Sequence, residues 1–485
     1  MTSRYIAWAI NKDMENFVED ILTRDETDWL EFKRILKKPW ELIDSIVALA
    51  NTKWWYLVLW VEDYWKARWK DRLLWINEWS HNYSEFLTLL TRNIQPPVVY
   101  EIKEIGIINT KWEEDKIVTI KVNASCDIYS TTWWDTYIRK DKSNRKIWGQ
   151  EIIRLMYEKG SLKYENEPSG IKDLSELDQN LLDDFKKSIR AEWDDWQILK
   201  DNWLAIKDKN WWQLTKWWVL LFWKNPEVLL GTKCSIRITH YKWLAPNYTD
   251  EPNFIRRPFS IEWPLRMQIS KCMDFYEELT QFFPTVLKSS WWFESTLSVP
   301  RFVFQEAITN AVIHRNYSII NDIQVRIFDN RIEIESPWIY PWAITPLNIV
   351  SERFPRNPII LRTLSRFDSA PNLDIWEWVD RMFQLMEGKW LFDPLYSTVE
   401  EKPNSVQVTL FNFNKPEYWE ELKAHIVKYW YITSQEAKPI IWEPDSSKLS
   451  RILKFFVDSW FLCSEWETKS KVYRLSWYTL IESSL

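Results

Sequence analysis

Hydrophobic and polar residues are patterned most regularly between residues 301 and 336. The first half has apolar residues at three- and four-residue spacings, which predicts a helix with one apolar face. In the second half, apolar and polar residues alternate on both sides of Asp329 and Asn330, which predicts a β-hairpin that turns there. The apolar residues of the helical half are Phe304, Ala307, Ile308, Ala311 and Val312. We therefore expect a helix packed against a sheet.

Three polar residues share another face of this predicted helix. Glu306, Asn310 and His314 are four residues apart, so each is rotated by only about 40° from the one before it. A carboxylate, an amide and an imidazole thus form one stripe. An ordinary solvated helix face is the alternative to a functional site here.

The wider sequence around this helix reads E-A-I-T-N-A-V-I-H-R-N-Y, followed by R-I-E-I-E-S-P. It resembles the nucleotide-binding core of gyrase- and histidine-kinase-type ATPases, in the divergent form of bacterial RecG-related regulators. The resemblance implies ATP and Mg²⁺ as cofactors, with Glu306 as the general base and Asn310 as the magnesium ligand. Ser336 stands where the gyrase-like fold usually has an adenine-binding Asp. Nucleotide contacts are implied for His314, Arg315, Ser336, Trp338, Arg356, Asn357, Trp376 and Trp378.

Tryptophan and glycine contents are inverted, with 37 Trp beside 6 Gly. Together they make up about 9% of the chain, near the glycine content of ordinary proteins. Many of the Trp stand where the chain needs a residue without a Cβ. At residues 376 and 378 the indole rings would block a phosphate from approaching the backbone. We hypothesise that most of these Trp are glycine in the native protein, through a UGA codon that its bacterium reads as Gly. A protein truly rich in Trp is the alternative.

The N-terminal region combines a helix, a buried strand and a basic run. Residues 48–63 predict the end of a helix, a tight turn and a buried strand. With glycine at its three Trp positions, this stretch resembles the AlbA-type DNA-binding domain shared with Schlafen proteins, whose last strands match residues 137–146. The cations of that last segment could hold phosphate, and a solvated edge strand is the alternative. The residues expected to contact nucleic acid are Lys33, Asn51, Arg139, Lys142, Asn144 and Arg145.

Three carboxylates of the same region suggest a different activity. Glu26, Glu31 and Asp63 align with acidic residues that some Schlafen nucleases use to hold metal for RNA cleavage. Three such side chains can bind Mg²⁺ or Mn²⁺. Glu31 is also shared by the wider family, so we favour a structural or regulatory role for it and keep the nuclease as an alternative.

The chain beyond residue 412 has three helical stretches followed by a hairpin. Thr433 with Glu436 three residues later predicts a capping box at the second helix. Three helices and a hairpin resemble a winged helix-turn-helix, and a winged helix that binds protein is the alternative. The basic residues expected to contact DNA are Lys448, Arg451, Lys454, Lys469 and Lys471.

Composition limits the function classes. Hydrophobic residues make up 46% of 485 positions, enough for several cores. The net charge of −6 argues against a uniformly basic nucleic-acid binder, so local patches must carry that role. No apolar run approaches the ~20 residues of a membrane helix, and no secretion signal is visible. Four scattered cysteines indicate neither a disulfide framework nor a zinc site. We expect a cytoplasmic protein.

These patterns predict an α+β multidomain protein with an AlbA/Schlafen-like α+β domain, an ATPase-like α/β sandwich and a C-terminal winged helix. The expected segments are a lead-in helix (1–22), the AlbA/Schlafen-type domain (23–150), a helical connector (151–190), a middle segment with the ATPase-like core (191–412) and the winged helix (413–485). The preferred function is a DNA-binding transcriptional regulator that senses or hydrolyses ATP. The alternatives are a metal-dependent RNase acting on RNA and a catalytically degenerate scaffold, and self-association is left open. A helicase motor is not expected, because no G-x-x-x-x-G-K-[ST] loop occurs even when Trp is read as Gly.

Overall fold

The structure is a computed structural model of the chain, and it is an α+β protein. Residue contacts divide the chain into two compact units, the first reaching Tyr164 and the second beginning at Glu165. Most of the predicted lead-in helix lies outside the described residues, and its last residue, Leu22, is buried. The structure describes residues 22, 30–33, 38–52, 55–73, 80–122, 125–140, 143–171, 174–202, 205–208, 211–247, 251–282, 297–338, 349, 355–371, 378–398, 405–429, 431–459, 461–467 and 470–475.

The first unit is built on a four-stranded sheet. Its elements are β1 Leu30–Lys33, α1 Ile43–Ala50, β2 Trp55–Leu59, α2 Ser80–Arg92, β3 Ile94–Gln95, β4 Tyr100–Ile108, β5 Glu114–Val122, β6 Ser130–Thr131, β7 Thr136–Lys140, β8 Ser143–Ile147 and α3 Gln150–Lys159. The sheet order is β1-β2-β5-β4, with β1 and β2 parallel and the other pairs antiparallel. Successive residues of β2 point to opposite faces, so Leu57 and Leu59 pack with α1 and α2, whereas Tyr56 and Val58 join a second cluster.

The second unit is built on a six-stranded sheet. Up to the end of this sheet, its elements are α4 Gln179–Ser188, α5 Asp195–Asp201, β9 Ala205–Asp208, β10 Trp211–Leu214, α6 Lys216–Phe222, α7 Pro226–Leu230, β11 Ile236–Tyr241, β12 Phe254–Ile261, α8 Leu265–Phe282, α9 Arg301–His314, β13 Ile323–Ile327, β14 Arg331–Ser336, α10 Pro358–Leu364, α11 Trp378–Glu387, β15 Leu395–Thr398 and β16 Val406–Phe411. The order is β12-β11-β13-β14-β16-β15, and β11 and β13 are its parallel pair.

The helix and hairpin predicted between residues 301 and 336 are confirmed as α9, β13 and β14. The hairpin turns at Asp329 and Asn330, and β13 pairs with β14 in antiparallel register. α9 packs on α8 through stacked rings of Tyr276 and Phe304, whose centroids are 5.2 Å apart. It also contacts the sheet, because the Ser336 hydroxyl at the end of β14 donates to the Ala311 carbonyl at 2.9 Å. The helix therefore lies directly against the end of β14.

The last part of the second unit has three helices and a three-stranded sheet. Its elements are α12 Trp419–Tyr429, β17 Ile432–Thr433, α13 Ser434–Ile441, α14 Ser446–Asp458, β18 Leu462–Glu467 and β19 Ser470–Leu475. The strands pair in the order β17-β19-β18, all antiparallel. Both halves of the predicted capping box between Thr433 and Glu436 are present. The predicted secondary structure is thus confirmed, while the assignment as a winged helix stays a prediction.

Left-handed backbone conformations are concentrated at tryptophan. Among the described residues, seven non-glycine residues have a φ between 53° and 71°. Arg190 is one of them, and the other six are Trp60, Trp112, Trp134, Trp243, Trp390 and Trp442. In this region the Cβ of an L-residue crowds its own backbone, so glycine is the usual occupant. These six Trp positions therefore have the backbone of glycine positions.

Candidate functional site

The polar stripe of α9 assembles as its spacing predicts. Glu306 is buried and Asn310, one turn later, is partly exposed. The Asn310 Nδ2 donates to Glu306 Oε1 at 2.9 Å. This bond fixes the amide plane and leaves Asn310 Oδ1, the type of oxygen that Mg²⁺ prefers, available to a ligand. The pair therefore fits a site in which protein supplies one metal ligand and phosphates and water supply the rest.

His314 lies at the end of the same stripe as a neutral imidazole. Burial, and then the nearby charge of Arg356, lower its pKa to about 4. Its ring stacks on the indole of Trp338, with centroids 5.7 Å apart and an interplanar angle of 29°. The Nδ1 atom is buried and makes no hydrogen bond within the part of the chain that the structure describes. At neutral pH this histidine offers stacking and hydrogen bonding but no positive charge.

Two of the residues assigned to nucleotide binding make hydrogen bonds around the end of α9. The guanidinium of Arg315 is fully buried and donates to the carbonyls of Lys233, Ile319 and Asn321. Asn357 Nδ2 donates to the Ile313 carbonyl at 2.7 Å and to the Arg315 carbonyl at 2.8 Å.

Ser336 is a third residue assigned to nucleotide binding, and its hydroxyl donates to the Ala311 carbonyl of the same helix. The last carbonyls of a helix have no partner within it, so the hydrogen bonds of Ser336 and Asn357 finish the helix. Nucleotide contacts by these residues stay predictions.

The segments that contain Trp338, Trp376 and Trp378, where nucleotide contacts are expected, are only partly described. Trp338 is the second residue after β14, and its indole is buried against His314. Trp376 lies outside the described residues, and Trp378 is the first residue of α11. Arg356 is buried next to Asn357. The Glu306–Asn310 pair fits Mg²⁺ with ATP, whereas the indole at 338 fills space beside the same stripe.

Tyr396 of β15 is a neighbour of Glu306 that the sequence did not indicate. Burial, and then the Glu306 carboxylate, raise the pKa of Tyr396 above its ordinary range. Its hydroxyl donates to the Met382 Sδ of α11 at 3.8 Å. Tyr396 is 90 residues from Glu306 in the chain, and no spacing pattern relates positions so far apart. Only the pairing of β15 with β16 at the sheet edge brings it to the site.

The first unit holds a buried ion cluster around Glu31. Its carboxylate lies 2.7 Å from Lys33 Nζ and 3.3 Å from Arg139 Nη1, and the side chains of Glu31 and Arg139 are each 3% exposed. Arg139 Nη1 also donates to Asn144 Oδ1 at 2.8 Å, and Asn144 Nδ2 donates to the Ser45 hydroxyl of α1 at 2.8 Å. The side chain of Arg139 is thus buried and paired, and a phosphate contact by it stays a prediction. Arg139 ties the β7–β8 hairpin to β1.

The other residues of the first unit that are expected to contact nucleic acid are partly buried and partly on the surface. Asn51 donates to the carbonyls of Tyr129 and Tyr137 and is buried. Arg145 is 51% exposed and lies 2.7 Å from Glu151, so its cation is on the surface. Lys142 lies outside the described residues. A nucleic-acid contact in this unit therefore depends on the outer side of the hairpin rather than on its whole basic run.

The predicted nuclease carboxylates do not come together as a described cluster. Glu26 lies outside the described residues, Glu31 is held by two cations, and Asp63 pairs with Lys66 at 2.5 Å. Within the described part of the chain, no group of three acidic, His or Cys side chains is arranged to hold a metal ion. The nuclease site stays a prediction without geometric support.

The basic residues on α14 are on its exposed side. Lys448, Arg451 and Lys454 are exposed, while Leu449, Leu453 and Phe456 are buried on the opposite side. Lys454 Nζ lies 2.6 Å from Asp458. Lys471 is partly buried on β19, and Lys469 lies outside the described residues. The helix is therefore amphipathic, with its cations on the exposed side.

Comparisons with known proteins support two domain resemblances. Residues 26–148 match a family described as "Schlafen, AlbA_2". Residues 321–410 match a family described as "Putative ATP-dependent DNA helicase recG C-terminal". The protein thus combines an AlbA/Schlafen-type region with a RecG-related ATPase-like region, which is compatible with DNA binding and an ATP-related role. The second match begins beyond α9, so the roles of Glu306 and Asn310 rest on the helix itself.

Whole-chain comparisons add little to these matches. The chain is similar to the DIP2311 protein from Corynebacterium diphtheriae, with 16% identity over 94% of this chain and 81% of that one. The TM-score is 0.38, a likeness too low to carry an argument. No curated protein matches the chain. Among the described residues, no helix has the length and apolar character needed to cross a membrane.

Proposed function

We propose that this protein is a DNA-binding transcriptional regulator controlled by ATP. The observation that carries the proposal is the Glu306–Asn310 pair, a buried carboxylate hydrogen-bonded to a partly exposed amide on a helix against the sheet. The RecG-related match over residues 321–410 supports an ATP-related role for the sheet beside that helix. The Schlafen match supports contact with nucleic acid.

Glu306 and Asn310 have different tasks at this site. Bound ATP supplies phosphate oxygens and a transferable phosphoryl group. Asn310 Oδ1 would provide the protein ligand to Mg²⁺, while the hydrogen bond from Asn310 Nδ2 to Glu306 orients the amide for that role. Glu306 positions the attacking water and accepts its proton. His314 is neutral at pH 7 because of its lowered pKa, so it adds no charge to the phosphates' surroundings.

DNA contact is assigned to the C-terminal helices. Three helices with strands paired as β17-β19-β18 support a winged helix, in which the third helix enters the major groove. Here that helix is α14, and its exposed side has Lys448, Arg451 and Lys454. Such cations contribute affinity through phosphate contacts that weaken as salt rises. The exposed side of the β7–β8 hairpin, with Arg145, is a second candidate contact.

The nucleotide site is complete only when its loops carry glycine. We propose that the native residues at the six left-handed Trp positions, and at residues 338, 376 and 378, are glycine. The left-handed φ values support this for Trp112, Trp134, Trp243, Trp390 and Trp442, whose indoles are between 65% and 89% exposed and gain little by burial. We expect Trp419, in contrast, to be a true tryptophan. It is fully buried in a helix, and its ring stacks on Phe456 with centroids 4.9 Å apart.

Peptide mass spectrometry of the native protein tests the glycine proposal. We expect glycine at residue 442 and tryptophan at residue 419. Tryptophan at both positions would show that the chain is truly rich in Trp. Glycine at both would show that burial in an aromatic core does not identify the true tryptophans.

Mg·ATP titration of protein with glycine at residues 338, 376 and 378 tests the nucleotide site. We expect Asn310→Ala to weaken Mg·ATP binding at least tenfold, while Glu306→Gln retains binding and loses hydrolysis. Asn225→Ala is the control, because Asn225 is an exposed residue of the same unit whose side chain makes no capping hydrogen bond. Equal affinities for the Asn310 and Asn225 variants would exclude Asn310 as the magnesium ligand.

The alternative RNase activity has a weaker basis. It requires the Glu31 carboxylate to bind metal, yet Lys33 and Arg139 already neutralise it inside the first unit. We therefore assign Glu31 a positioning role: it holds Arg139 and, through it, the hairpin that presents Arg145.

A further inference from the structure

The C-terminal helices share a hydrophobic core with the edge of the six-stranded sheet. Phe392, just before β15, and Phe411, at the end of β16, belong to the same buried cluster as Trp419 and Phe461. The Phe392 and Phe461 ring centroids are 4.0 Å apart, and those of Phe411 and Phe461 are 4.7 Å apart. Close-packed aromatic rings transmit displacements because interiors have low compressibility. The C-terminal helices are therefore docked on the sheet and not merely tethered to it.

Helix α11 connects the polar stripe of α9 to this shared core. It packs on α9 near its start, where the Arg381 guanidinium lies 4.7 Å from the centre of the Phe302 ring. Its hydrophobic side includes Met382, which accepts from the Tyr396 hydroxyl beside Glu306. It ends at Glu387, five positions before Phe392. The same helix thus touches both the candidate nucleotide site and the segment that enters the core.

The link between α11 and Phe392 is short and held at several points. A Cβ at Gly388 would lie 3.2 Å from the Gln384 carbonyl oxygen, which is closer than ordinary van der Waals contact. The Lys415 amide donates to the Trp390 carbonyl at 2.6 Å, and Lys415 Nζ lies 3.6 Å from the Asp393 carboxylate. A displacement of α11 along its axis must therefore move Phe392 or break these contacts.

We infer that α11 and Phe392 couple nucleotide binding to DNA binding by the C-terminal helices. This inference rests on the proposed function and extends it, because it names the route by which the nucleotide site regulates the DNA-binding helices. Occupation of the site shifts α11 through its contacts with α9 and with Tyr396, and Phe392 carries the shift into the core beneath α12 and α14. Coupling of this kind is reciprocal, so Mg·ATP changes DNA affinity by the factor by which DNA changes Mg·ATP affinity.

Two matched substitutions test the route. Phe392→Leu loses the ring contacts with Phe461 and Trp419 but keeps a large apolar side chain. Phe456→Leu is the control, since Phe456 is equally buried in the same core and stacks on Trp419, with no ring contact to Phe392 within the described residues. Both are made in protein with glycine at residues 338, 376 and 378, and thermal unfolding checks that each variant is folded at the assay temperature.

The measurement is fluorescence anisotropy of a labelled mixed-sequence duplex of about 30 base pairs at fixed low salt, with and without Mg·ATP. In the parent and in Phe456→Leu, we expect Mg·ATP to change the duplex Kd about fivefold or more. In Phe392→Leu, we expect less than a twofold change with Mg·ATP affinity retained. Equal coupling in both variants would overturn the inference and leave the proposed function standing. Independent binding of both ligands in the parent would overturn the inference together with the control by ATP that the proposed function includes. Absence of Mg·ATP binding in the parent would overturn both.

Discussion

Two buried carboxylates, Glu31 in the first unit and Glu306 in the second, have opposite surroundings. Glu31 lies against two cations, and one of these, Arg139, is itself buried. Glu306 accepts a hydrogen bond from the neutral amide of Asn310, whose oxygen remains able to meet a metal ion. Burying a charged pair is tolerated when each charge meets its opposite. The comparison teaches that burial alone does not mark a catalytic carboxylate. The partners differ, because cations hold Glu31 whereas Glu306 meets the Asn310 amide, and a catalytic role for Glu306 is our proposal.

The largest expected effect is on the folding of the first unit. Glu31→Ala removes one member of a buried pair and leaves Arg139 uncompensated, which should cost about 3–5 kcal/mol. The free energy of unfolding is measured by urea denaturation, with Glu151→Ala as the control because the Glu151–Arg145 pair is exposed. A Glu31 variant as stable as the control would mean that the ion cluster does not hold the hairpin.

A comparably large effect is expected on turnover and not on folding. Glu306→Gln keeps the shape and an acceptor for Asn310 but cannot take a proton, so ATP hydrolysis should fall at least about 100-fold. Steady-state phosphate release and the urea midpoint are measured together on the glycine-restored protein. If this variant lost stability while its turnover per folded molecule stayed intact, Glu306 would have a structural role, as Glu31 does.

A pH effect is expected at His314, on the same stripe as Glu306. Its pKa is lowered from 6.5 to about 4 in the folded chain. The unfolded chain therefore binds more protons between these values, and stability is lost as pH falls from about 6.5 toward 4. His314→Gln should reduce this loss, relative to the parent, in urea titrations at pH 7 and pH 5. His240, whose pKa burial also lowers to about 4, contributes to the remaining loss.

The smallest effect concerns the tryptophans, whose replacement should not disturb either carboxylate. Trp442 is 85% exposed at a φ of 57°, so Trp442→Gly should relieve strain and raise the free energy of unfolding by about 1 kcal/mol. Trp419→Gly, the control, empties a buried aromatic site and should destabilise by about 3–5 kcal/mol. Thermal or urea unfolding compares the two variants. Destabilisation of similar size at both positions would contradict a glycine backbone at residue 442.

Much of the second unit could be predicted because its signals are local. Three- and four-residue spacing identified α9, alternation identified β13 and β14, and Thr433 with Glu436 identified the start of α13. Each depends on contacts within one helix or one hairpin. Spacing also placed Glu306 and Asn310 on one face, because residues four apart in a helix are neighbours.

The sequence by itself therefore determined the elements, the polar stripe and the inverted content of Trp and Gly. Tertiary structure alone decided which residues distant in the chain meet. Arg139 pairs with Glu31 across more than 100 residues, Tyr396 lies beside Glu306, and Phe392 packs in the core of the C-terminal helices. It also decided which Trp have a glycine backbone and which, like Trp419, are packed in a core. The reason is physical. The face on which a side chain lies is fixed by its own helix or strand, whereas its contact partner is fixed by elements that pack against it from elsewhere in the chain.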